Sequence, residues 1–190
     1  MFAAKRPKYI VLIPIALLIG FSFLFYYLTP ESIIGFIGVE NAYVLIFILA
    51  FIGGLTTFSG VPYHLVLIAL AAGGLNPFLL GVSSGIGVIL GDSTSYYIGH
   101  EGRALVTGRL LAVLNRLSRV QEKYPRTLPW IFFLFSAFLP ISNDVIAIPA
   151  GLLGYSFWRV MIPLALGNIV FNTGVALLAV HGYGLVQGLL

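Results

Sequence analysis

Residues 138–151 read Phe-Leu-Pro-Ile-Ser-Asn-Asp-Val-Ile-Ala-Ile-Pro-Ala-Gly. Asp144 stands alone there, with no charged residue back to Arg126 or forward to Arg159. A carboxylate in surroundings this apolar is costly and calls for a function or a partner. Pro140 and Pro149 bracket it, and each interrupts a regular helix. An apolar segment broken at an acid resembles a transporter's binding region.

Composition sets the class. Of 190 residues 59% are hydrophobic and 8% charged, with mean hydropathy +1.04. A soluble domain carries about 25% charge, so this is a polytopic membrane protein. Its length suits one membrane domain of about five to seven apolar elements. The absence of cysteine excludes disulfides, thiolate catalysis and cysteine metal sites. No metal cluster, P-loop or dinucleotide fingerprint occurs, and no cofactor is expected. The net charge of +4 reports topology, since its basic block lacks the aromatics of a nucleic-acid surface.

The fold class expected is an all-α polytopic membrane protein with two inverted-repeat re-entrant hairpins, each followed by a transmembrane helix. Residues 1–40 hold an N-terminal span, 9–28, and an interfacial segment. Residues 41–184 hold a hairpin (41–75), a span (77–99), an amphipathic basic segment (101–126), a second hairpin (128–156) and a last span (157–180). Residues 185–190 form a tail. The second arm of the first hairpin, 62–75, covers about 21 Å, too short to cross comfortably. Pro62, Gly73, Pro140, Pro149 and Gly151 mark the breaks. All ten Lys and Arg fall on one side if the N-terminus is cytoplasmic and spans 9–28, 77–99 and 157–180 alternate. This predicts a multi-pass plasma-membrane protein. Residues 71–78 also resemble 149–157 at an offset of about 79, which suggests an internal repeat.

Three pieces resemble the DedA family, also called the VTT or SNARE-associated Golgi protein domain. They are Gly91-Asp92 with Tyr96, Ile98 and Gly99; Phe138-Leu-Pro140 with Pro149-Ala-Gly151; and Gly167-Asn168 with Gly182-Tyr-Gly184. The resemblance covers roughly residues 40–184. It implies two re-entrant hairpins meeting at the midplane and movement of lipids or lipid-linked phosphates. Two features depart from it. The first break reads Val61-Pro62-Tyr63-His64, where the family commonly has Pro-Gly-Glu/Asp. Ala137 and Asn143 stand where the family's second break carries arginines.

The candidate substrate or proton sites are Asp144, Asn143, Asp92, His64 and Tyr63, with no catalytic residue. Asp144 can exchange a proton, pair with a cation, or serve only as a hydrogen-bonded helix-break acid. Asp92 either lines a cavity, clamps a hairpin tip or pairs with Arg103, and His64 is either a proton partner of Asp144 or a helix-start residue. Asn168 and Asn172 share one helix face as interhelical glue. Membrane lipids and protons are the expected partners, and homo-oligomers stay open. The alternatives to a transporter or scramblase are a membrane scaffold and, on the pattern Gly81-Val-Ser-Ser-Gly85, a serine hydrolase.

Overall fold

The computed structural model describes residues 30–55, 63–108 and 123–187. The expected span 9–28, the first break at 59–62 with Pro62, and residues 109–122 of the basic segment lie outside them. Among the described residues every regular element is helical. These are α1 (Pro30–Ile37), α2 (Val39–Leu55), α3 (Tyr63–Ala72), α4 (Pro77–Gly102), α5 (Thr127–Phe138), α6 (Asp144–Leu153) and α7 (Phe157–Gln187), with a 3₁₀ turn at Arg103–Leu105.

Two helices are long and apolar enough to cross a membrane, over Pro77–Leu105 and Phe157–Gly182. Both present large apolar side chains outward, including Phe78, Leu79, Ile86 and Leu90 on α4 and Trp158, Ile162, Leu166 and Val170 on α7. Such a surface fits hydrocarbon, and the protein is a membrane protein. By contrast α3, α5 and α6 have 10, 12 and 10 residues. At a rise of about 1.5 Å per residue each covers only about 15–18 Å.

Three of the expected break residues do not mark breaks. Pro149 lies inside α6 and Gly151 also sits within that helix. Proline removes one backbone bond, yet α6 is held against α4 on both sides of it. A Cβ on Gly99 would strike the Ile148 carbonyl, and one on Gly151 would strike the Tyr96 carbonyl. Gly151 therefore serves close packing. Gly73 only leads into the turn after α3; the left-handed residue there is Gly74, with φ of 94°. Its counterpart after α6 is Gly154, with φ of 74°.

Those two turns reveal the repeat in an ungapped register of 80 residues. Leu75 N–H donates to the Leu70 carbonyl at 3.2 Å, and Tyr155 N–H to the Ala150 carbonyl at 3.0 Å. The two buried apolar clusters obey the same register. One contains Leu67, Leu70, Leu75, Leu80 and Ala176; the other contains Ala147, Ala150, Tyr155, Val160 and Tyr96. Each of these five has its mate 80 positions away in the other cluster, Tyr96 pairing with Ala176. Gly87 and Gly167 also match. The first faces Phe47, Ala50 and Phe51 of α2, the second Phe133, Ser136 and Ala137 of α5.

The copies run in opposite directions. Gly81 lies against Thr173 and Gly85 against Ile169, so α4 and α7 are antiparallel. The first arm of each hairpin packs on the long helix of its own copy, α2 on α4 and α5 on α7. The second arm crosses over, α3 to α7 and α6 to α4. Arg103 adds to the second crossover by donating to the Leu153 carbonyl at the end of α6, 3.0 Å away.

Lipid offers no hydrophobic drive between helices, so these seams depend on close approach of small residues. We predict that Gly87→Leu and Gly167→Leu each destabilise the fold by at least about 1–3 kcal/mol through overpacking. Gly174→Leu, where an added Cβ has open space, should shift thermal unfolding in detergent far less.

Candidate functional site

Each crossing arm ends in a polar contact with the opposite long helix. On one side Asn143 Nδ2 donates to Asp92 Oδ2 at 2.7 Å, joining the start of α6 to α4. On the other the Tyr63 hydroxyl donates to Asn172 Oδ1 at 3.4 Å, joining the start of α3 to α7. Residues 63 and 143 are 80 apart, as are 92 and 172. The contacts are therefore equivalent in the two copies, and we call them latches. Two apolar clusters flank them, one at each end of the long helices.

Local sequence explains the first latch. Asn143 begins α6 but makes no side-chain cap. Ser142 does that work, accepting from Asp144 N–H at 3.3 Å and donating to Asp144 Oδ2 at 3.0 Å. The Asn143 amide is thereby available to Asp92. Asp92, Asn143 and Asp144 are all buried, at 2%, 5% and 5% exposure. Asp144 directly follows Asn143, whose amide is bonded to Asp92, and Asp144 Oδ1 has no hydrogen-bond partner.

The second latch is neutral. Asn172 is fully buried, and its Nδ2 is unpartnered. His64 stands beside Asn172 with Nε2 also unpartnered. Its ring lies 3.9 Å from that of Tyr63 and edge-on to Phe171 at 5.8 Å. His64 is the mate of Asp144 in the repeat, yet its polar neighbour is Asn172, so the proton pair anticipated between them is not formed.

Antiparallel packing fixes the spacing of the latches. Thr173 sits beside Gly81, so Asn172 and Asp92 are offset by about 15 Å along the helix axes. The five candidates thus fall into two polar stations, Asp92 with Asn143 and Asp144, and Tyr63 and His64 with Asn172, together called the polar track. Asn168 and Asn172, read from sequence as glue, belong with it: both are buried and both keep an unpartnered Nδ2. The signal for Asn172 was its register of 80 with Asp92, which the gapped alignment near 79 obscured.

Arg103, Lys123, Arg126 and Arg159 are the described cations, and none joins the track. Arg103 is bound to Leu153, and the other three are exposed. The pattern at 81–85 lies within helix α4, where Ser84 Oγ donates to the Leu80 carbonyl at 2.7 Å. His181 is exposed and bound to the Leu177 carbonyl. This backbone is not a strand–turn–helix elbow. No group of three His, Cys, Asp or Glu able to hold a metal occurs among the described residues.

A family model described as the VTT domain matches residues 61–181. The chain belongs to the VTT-domain family. This is the DedA or SNARE-associated Golgi protein domain. Among curated proteins and solved structures, none matches the chain. The matched region of this VTT protein includes both latches and both crossing arms.

A double-mutant cycle measures the acidic latch. Asn143→Leu and Asp92→Leu should each destabilise the protein, and the double variant should cost less than their sum, with a coupling of about 1–3 kcal/mol. Denaturation midpoints in one detergent provide the readout. Strict additivity would mean that the contact does not form.

Proposed function

We propose that this VTT protein is a DedA-type transporter or scramblase, without enzymatic chemistry. It moves a lipid, lipid-linked or other small polar substrate past two re-entrant hairpin tips at the midplane. The observation that carries this reading is the paired latches. Polar side chains inside a membrane domain are expensive, and here they recur in both copies with buried atoms left unpartnered. Antiparallel repeats whose broken helices meet near the middle are the architecture of alternating access. Short arms support re-entry, because lengths of about 15–18 Å fall well below about 30 Å of hydrocarbon. The location proposed is the plasma membrane, with the N-terminus cytoplasmic and lipids and protons as partners.

The test uses purified full chain in phosphatidylcholine vesicles holding a trace of headgroup-labelled lipid. Dithionite added outside should bleach beyond the outer leaflet when the protein is present, and Asp92→Leu or Asn172→Leu should slow this at least several-fold. A parallel series follows uptake of small solutes across a pH gradient. If neither lipid nor solute moves, the translocation reading fails and a scaffold role takes its place.

Orientation is checked separately. Cysteines introduced at Glu40 and Ser156 in this cysteine-free chain should react with an impermeant maleimide from opposite sides of the membrane. Reaction from one shared side would overturn the inverted arrangement.

A further inference from the structure

The two latches do the same mechanical work with different chemistry. At Tyr63–Asn172 a neutral amide receives the crossing arm. At Asn143–Asp92 a carboxyl group receives it. The repeat therefore contains its own control: an amide on the long helix suffices to hold an arm. The second acid, Asp144, likewise has an uncharged-capable mate in His64. Nothing in the mechanics of the arms requires two acids at one station, and burying two close carboxylates is costly.

Among the described residues the acids also stand without a cation. Each of the four described Lys and Arg is engaged or exposed elsewhere. Asp144 is 5% exposed and its Oδ1 has no hydrogen-bond partner. The local donors are already in use: Asn143 Nδ2 serves Asp92, and Ser142 Oγ serves Asp144 Oδ2. What remains at this end of the track is acceptor capacity and negative potential. An anion would meet repulsion there, strengthened by the low dielectric. A positive group would offset the desolvation of both acids. With no third acid, His or Cys gathered to them among the described residues, the pair suits one positive charge better than a divalent ion.

We infer that Asp92 and Asp144 form a binding site for a monovalent cationic group, an ammonium or an alkali ion, at the Asn143 end of the polar track. This rests on the translocation reading only for its place in a path, and it names the substrate charge that the path accepts. It sets this chain apart from the phosphate chemistry implied by family members with arginines at the second break. The neutral station at Tyr63, His64 and Asn172 is then a passing point rather than a charge site.

Isothermal titration of the full chain in a non-ionic detergent tests this, against a background of N-methylglucamine chloride. Methylammonium chloride, sodium chloride and N-methylglucamine phosphate are titrated in turn. Saturable binding is expected for methylammonium or sodium, the two arms telling which, and none for phosphate. Asp92→Asn and Asp144→Asn should each weaken cation binding at least tenfold. Asp92→Asn should keep the wild-type unfolding temperature, because an amide serves the equivalent latch; this separates lost binding from lost folding. The inference is overturned by saturable phosphate binding without cation binding, by no saturable cation isotherm, or by isotherms unchanged in both variants. Cation binding without movement in vesicles would remove the translocation reading and leave this site. Movement in vesicles without cation binding would do the reverse.

Discussion

The structure depends on how closely the backbone of α4 is approached by its neighbours. Gly81 and Gly85 admit α7, Gly87 and Gly91 admit α2, and Gly99 admits α6. A side chain at any of them would overlap main-chain or buried side-chain atoms. In lipid such contact replaces the hydrophobic drive that assembles a soluble core. It also explains how α4 tolerates helix-weakening glycines. Their backbone hydrogen bonds are shielded by neighbouring helices, and their lack of Cβ is used on several sides at once.

From that hub follows the exchange of arms. Each hairpin splits, with its first arm on its own long helix and its second on the other copy's. The second break, at residues 139–143, lies between α5 and α6, where backbone ends need partners. The latches fasten the crossing arms at their starts. Polar groups therefore gather inside while both ends close with apolar clusters that share five matched positions. Two-fold pairing places the two stations apart along the helix axes.

Much of this was legible residue by residue. Asp144, Asn143, Asp92, Tyr63 and His64 were distinguished because polar side chains are conspicuous in apolar runs, and all five lie on the track. Their grouping was not legible. Pairing His64 with Asp144 across the gap was reasonable on chemistry, yet antiparallel repeats put mates on opposite sides of the crossing. From sequence Asn172 reads only as interhelical glue, because an asparagine in a span is ordinary until its partner is known. Pro149 misled because proline's local cost is real, whereas its outcome depends on what holds the helix on either side.

By itself, the sequence determined the membrane class, the long and short apolar elements and the family resemblance, because hydropathy and proline or glycine punctuation act locally. It also contained the repeat, blurred by apolar similarity. Only the tertiary structure decided the register of 80 residues, the exchange of second arms and the separation of an acidic from a neutral latch. Those depend on which backbone surfaces can approach each other, and glycines far apart in the chain settle that jointly. The stretch 138–151 acquires its meaning there: Asn143 fastens α6 to Asp92, and Asp144 is left buried beside it with an oxygen unpartnered.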